Sequence, residues 1–176
     1  MLKAPMKLIA LNCLPKYSVQ CTCYEGRQYY SVPGQVYTGI TTILSATRSK
    51  EDEQRFKDWE EEVGVAEAQR IRRESTRRGG ITDGLVNYDG QLCFCDWKTS
   101  TKPKKWNWIQ EHCLQVAAYT AAVNRVYQSQ GVRVAQALIA IALPHTEAQV
   151  FRIEQEALME YWQAFKQRLE QFKTMQ

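Results

Sequence analysis

Three side chains in the middle of the sequence have the types and spacing for chemistry. The run GGITDGLVNYDGQLCFCDWKTS, residues 79 to 100, places Asp83, Asp96 and Lys98 on what read as two short strands joined at Asp89-Gly90. Side chains alternate along a strand, so Asp96 and Lys98 share one face while Trp97 points to the other. A hairpin closed at Asp89-Gly90 brings Asp83, on the neighbouring strand, toward Asp96. Two carboxylates held together repel, and a hard divalent cation such as Mg2+ or Mn2+ relieves that repulsion. Held by Asp83, Asp96, the backbone carbonyl of Trp97 and waters, such a cation would polarise a phosphodiester oxygen and acidify an attacking water. Lys98 would orient that water or offset charge building on the phosphate. The competing reading is a pair of solvated strand ends, because one acid-x-Lys tripeptide is expected by chance in a chain of this composition.

The elements that must hold these residues follow from periodicity. Residues 17–31, YSVQCTCYEGRQYYS, alternate around Glu25-Gly26 and predict a hairpin. The segment QVYTGITTILSATRS reads as either a strand or a short helix. Ser49, with Asp52 three residues later, is an expected N-cap. Phe56, Trp59, Val63 and Ala66 then recur at helical spacing, predicting a helix that ends near Arg78, where Gly79-Gly80 stops it. Two strands follow, at about 81–88 and 91–98, and TSTKPKKWNW is loop-like. A helix is expected from about Asn107 to Gln130, ended by Gly131. VAQALIAIAL reads as a buried strand with AQVFRIE as its partner across Pro144. Leu158, Tyr161, Trp162, Phe165, Leu169 and Phe172 stripe a last helix.

The chain has 176 residues, 44% of them apolar and 24% charged, which excludes disorder and low complexity and is the size of one domain. The net charge of +4 permits a polyanionic partner without demanding one. Pro5 and Lys7 interrupt the N-terminal apolar stretch, so no signal peptide is expected, and no run approaches the roughly 20 apolar residues of a membrane span. The expectation is a soluble, cytoplasmic protein. The six cysteines are then expected as free thiols, with the alternating pairs Cys21/Cys23 and Cys93/Cys95 acting as small buried hydrophobes.

Taken in order, G-I-T-D-G, C-D-W-K-T-S and L-Q-V-A-A-Y resemble the PD-(D/E)XK nuclease superfamily, specifically RecB-like exonucleases related to the mitochondrial genome-maintenance exonuclease. Upstream, Y-Y-S-V-P-G, T-G-I-T-T-I-L-S-A-T and a charged helix ending S-T-R-R-G are similar to the family's N-terminal half. The resemblance implies an α/β fold with a restriction-endonuclease-like core, a mixed central β-sheet flanked by helices, and a β-hairpin lead-in. On that basis residues 1–176 are expected as a single nuclease-like domain, with a lead-in over 1–47 and the core over 48–176. The resemblance also implies metal binding by Asp83 and Asp96, a catalytic role for Lys98, and a Gln-x3-Tyr signature at Gln115 and Tyr119. These last two stand about one helical turn apart. The family usually continues from the R-G of its first helix into a helix bearing a histidine near the metal. Here Arg78-Gly79-Gly80 runs directly into Ile81, and that segment is absent. His112 and His145 are the histidines present; His112, one turn before Gln115, can approach the site, although a surface or core role is favoured. No cysteine follows Cys113, so the iron-sulfur cluster of some relatives is not expected.

For a substrate path, Arg70, Arg72, Arg73, Arg77 and Arg78 crowd the end of the first predicted helix, as phosphate ligands or as partners of its dipole. Thr99, Ser100, Lys102, Lys104 and Lys105 follow the D-W-K motif, interleaved with Trp106 and Trp108, which either stack on unpaired bases or cap the core. The expected activity is metal-dependent exonucleolysis of DNA, on single-stranded ends, with Mg2+ or Mn2+ as cofactor and no membrane partner. The alternatives are a catalytically impaired nuclease-fold module that binds DNA or a partner protein, and a structural remnant.

Overall fold

The computed structural model describes residues 7–8, 20–24, 27–32, 35–64 and 84–175. In chain order these form β1 (Lys7–Leu8), β2 (Gln20–Tyr24), β3 (Arg27–Val32), β4 (Gln35–Thr38), α1 (Ile40–Ala46), α2 (Lys50–Val63), β5 (Gly84–Tyr88), β6 (Gln91–Thr99), α3 (Gln110–Val126), β7 (Gln136–Ala142), β8 (Gln149–Ile153) and α4 (Gln155–Thr174). Five strands make a mixed sheet in the order β1-β5-β6-β7-β8, and β2-β3-β4 make a separate antiparallel sheet.

The strongest local determinant is the turn between β5 and β6. Asp89 and Gly90 both take positive φ, 51° and 79°, the backbone that a two-residue hairpin turn of matching twist requires. It fixes the register Tyr88↔Gln91 through Gly84↔Cys95. From β6 the chain crosses through α3 to β7, which lies parallel to β6, and β8 returns antiparallel. A central strand flanked by neighbours and covered on both faces should be a continuous apolar run, and β7, QALIAIA, is buried over all but its last residue.

The sheet's two faces sort β6 by parity. Cys93 and Cys95 pack with Val86, Leu138 and Ala140, with Trp97 against them. Phe94 lies on the other face with Ala137, Ile139 and Ile141, under Cys113, Val116 and Ala117 of α3. The opposite flank of α3 meets α1 and α4 through Leu114 and Ala118, which join Ile43, Leu44, Phe165 and Phe172. This double burial explains why α3 is apolar nearly all round. Cys93, Cys95 and Cys113 are free thiols, all buried.

Arg168 of α4 locks this helical layer. Its guanidinium donates to Thr47 Oγ1 at 2.9 Å and to the Leu44 carbonyl at the end of α1, and pairs with Glu111 of α3 at 3.4 Å. Glu111 is shared with Arg48 at 3.2 Å. Hydrogen bonds to charged groups contribute more than neutral ones, so Arg168→Ala is expected to cost about 2 kcal/mol. A urea midpoint measurement checks this.

Several elements differ from the sequence-based expectation. The first long helix was expected to reach Arg78, but α2 stops at Val63 because Gly64 takes φ 82°, ψ 139°, outside helical geometry. The ambiguous threonine-rich segment resolves into both alternatives, β4 and α1, separated by Gly39. The helix expected from Asn107 begins at Gln110, after a 3-10 turn at Trp106–Trp108, and a second 3-10 turn, Gln128–Gln130, precedes Gly131 at φ 73°. The Ser49 cap is as read: its hydroxyl accepts from the Asp52 amide at 3.1 Å. The strands expected at 17–31 form β2 and β3, with Tyr24 opposite Arg27. Residues 81–83 and the helical expectation for 65–78 lie outside the described residues.

Candidate active site

Period-two alternation puts Asp96 and Lys98 on the α3 face of β6, in register with Ile139 and Ile141 of β7. Its neighbours cover Asp96 completely, at 0% exposed. Its Oδ1 accepts from Lys98 Nζ at 2.9 Å. Its Oδ2 is buried with no hydrogen-bond partner. Burying an ion costs several kcal/mol unless its partners make up the loss. Lys98 supplies that for one oxygen only.

Lys98 is 27% exposed, so its ammonium stands at the boundary between the buried carboxylate and solvent. Nζ makes a second donation, to Gln115 Oε1 at 3.2 Å. Gln115 is itself buried, one turn into α3, where helix geometry aims it back at the sheet. Tyr119, the next turn along that face, stacks on Phe94 with centroids 5.5 Å apart and planes 25° apart. Asp96, Lys98 and Gln115 are therefore brought together, and Tyr119 rests on Phe94, two residues before Asp96 on the same face of β6. Trp97 sends its indole to the opposite face, and its backbone is in register with Ala140.

His112, the residue for which a surface or core role was favoured, stands beside this cluster. Its electrostatic neighbours are Lys98, Asp96 and Lys104, and it hydrogen-bonds the Gln115 side chain. Burial, aided by the Lys98 charge, lowers its pKa from 6.5 to about 4. The folded value lies below the unfolded one, so the unfolded chain takes up the proton first as pH falls. The stabilisation is complete above about pH 6.5 and is lost on descent toward pH 4. Metal-free protein should lose up to about 3 kcal/mol across that window, a loss absent from His112→Gln. Urea midpoints at successive pH values measure it. His145 sits in the exposed turn between β7 and β8, at φ 62°.

The loop after β6 is fixed rather than loose. Thr99 ends the strand, and the Ser100 amide donates to the Ala142 carbonyl at 3.0 Å. The Ser100 hydroxyl donates to the Lys102 carbonyl at 2.7 Å. Gln149 of β8 clamps Lys104 by two bonds of 2.8 Å, one to its amide and one to its carbonyl. That clamp had no local sequence signal, since the two residues lie 45 positions apart. Lys105 and Trp106 are exposed. Asp83, Arg70, Arg72, Arg73, Arg77, Arg78 and the Gly79-Gly80 junction lie outside the described residues.

A family model of the PD-(D/E)XK nuclease superfamily matches residues 31–175. The chain belongs to this superfamily. The observed mixed sheet with flanking helices is the fold that membership implies. The chain is also similar to mitochondrial genome maintenance exonuclease 1 of Mus musculus, 32% identical over 108 residues, covering 60% of this chain and 32% of the relative. Against the Homo sapiens protein of the same name it is 33% identical over 106 residues, 58% of this chain and 30% of the relative. It thus spans about a third of the length of these curated relatives.

PD-(D/E)XK nucleases generally use divalent metal ions. The partnerless Oδ2 of Asp96 fits that chemistry: it is a hard anionic oxygen whose burial cost a cation would offset. Among the described residues, no three His, Cys, Asp or Glu side chains converge as a complete ligand set. No helix among them is long and apolar enough to cross a membrane.

Proposed function

We propose that the chain is a metal-dependent DNA exonuclease that hydrolyses phosphodiester bonds at single-stranded ends, with Mg2+ or Mn2+ as cofactor. The observation that carries this reading is the fully buried Asp96, with one oxygen on Lys98 and the other without a partner. Superfamily membership and the exonuclease relatives support it. The reading takes residues 1–176 as one nuclease-like unit, of which the family match covers 31–175.

In this reading Asp96, Asp83 and the Trp97 carbonyl hold the cation. Asp83 directly precedes Gly84 in the sequence and is assigned to the cation from the sequence alone. When bound, the cation supplies Lewis-acid polarisation of the phosphate and a more acidic water. Lys98 has three N–H donors. Two are spent on Asp96 and Gln115, which fix the ammonium in place, and the third serves the attacking water or a phosphate oxygen. Gln115 sets the lysine's direction, and Tyr119 on Phe94 closes the inner wall. We assign Thr99, Ser100, Lys102, Lys104, Lys105 and Trp106 to the strand's path and, from the sequence alone, Arg73, Arg77 and Arg78.

The test is digestion of a 5′- or 3′-labelled single-stranded oligonucleotide with Mg2+ or Mn2+, beside EDTA. Stepwise shortening that requires the metal supports the reading. Retention of DNA by the folded, metal-loaded protein without cleavage would replace it with the catalytically impaired binding module.

A further inference from the structure

The two tryptophans of the Trp106–Trp108 turn are not equivalent. Trp106, 45% exposed, anchors the turn: its ring lies 5.7 Å from that of Phe151, it hydrogen-bonds the Tyr161 side chain, and its carbonyl accepts from Gln110 at 2.9 Å. Trp108 is 51% exposed. Among the described residues, Lys104 and Lys105 make cation-π contacts with it, their Nζ atoms over the ring at 5.8 and 5.6 Å from its centroid. An indole half in water with two ammonium groups over its ring has the parts of a nucleotide site: long flexible lysine stems that can swing the cations onto the adjoining phosphates, and the π surface this leaves for a base.

The platform is rigidly connected to the candidate active site. The Gln149 clamp fixes Lys104, Trp106 anchors the turn, and the same segment joins β6, bearing Asp96 and Lys98, to α3, bearing Gln115. Lys104 also lies within electrostatic reach of His112, as Lys98 does.

We infer that Trp108, flanked by Lys104 and Lys105, is the stacking platform for an unpaired base of the DNA strand, and that it selects single strands over duplex. A base stacked in a duplex has no free face to offer, so the preference follows from the geometry of stacking. This inference rests on the proposed DNA-hydrolysing function and assigns the strand preference to one side chain.

The experiment is fluorescence anisotropy in EDTA with a labelled oligo(dT) and a blunt two-stranded duplex of equal length, using wild type, Trp108→Ala and Trp108→Phe, each checked by circular dichroism. Trp108→Ala is expected to bind oligo(dT) about tenfold more weakly, with duplex binding unchanged. Trp108→Phe should recover most of the loss, because it restores an aromatic face. Equal oligo(dT) affinity in wild type and folded Trp108→Ala would overturn the platform, and unaltered metal-dependent cleavage by that variant would show that the hydrolysis reading survives it. If the wild-type protein neither binds nor cleaves either DNA, both readings fall.

Discussion

Lys98→Ala is expected to lower cleavage about 100- to 1,000-fold, the usual effect of removing one preorganised donor from a charge-developing site. Two N–H groups of Lys98 hold its ammonium between Asp96 Oδ1 and Gln115 Oε1, so the charge is already in place before substrate arrives. Lys98→Arg should not recover the activity, because the planar guanidinium presents its donors as a fork that does not fit between those two oxygens. Lys98→Ala also has a folding cost. It leaves a fully buried carboxylate without its partner, and breaking a buried pair from one side typically costs about 3–5 kcal/mol. The double variant Asp96→Ala/Lys98→Ala should therefore be more stable in EDTA than Lys98→Ala alone. Denaturant midpoints of the three proteins test that ordering independently of activity.

Asp96→Asn is expected to reduce cleavage about 1,000-fold or more, since several kcal/mol of charge stabilisation at the phosphate corresponds to at least that factor. The side chain keeps its volume, and its amide oxygen can still accept from Lys98. What it loses is the anionic oxygen at the buried position now without a partner. DNA affinity in EDTA should stay within about threefold of wild type, because the buried group does not touch the strand. Steady-state cleavage rates beside anisotropy in EDTA separate the two effects.

The geometry of Asp96 and Lys98 was legible because a strand alternates with period two, and because Asp89-Gly90 pins the β5–β6 register in a way few dipeptides can. The burial of β7 was legible for a similar reason, as an unbroken apolar run. The end of α2 was not: Phe56, Trp59, Val63 and Ala66 keep helical spacing straight across Gly64, so the pattern masks the residue that leaves the helix. The surroundings of His112 were hidden for another reason. They come from β6, from the loop bearing Lys104 and from its own helix, segments that only the tertiary fold assembles. The different commitments of Trp106 and Trp108 likewise depend on Phe151 and Tyr161, distant in sequence, whereas the loop reading WNW alone treats both indoles alike.

The account turns on the claim that Asp96 Oδ2 is a cation ligand. Titrating Mn2+ into the protein, followed by electron paramagnetic resonance of the free ion and by thermal melting, tests it without relying on turnover. Wild type is expected to take up Mn2+ and to melt at a higher temperature as it does, with both responses abolished in folded Asp96→Asn. Equal Mn2+ uptake by the two proteins would contradict the claim.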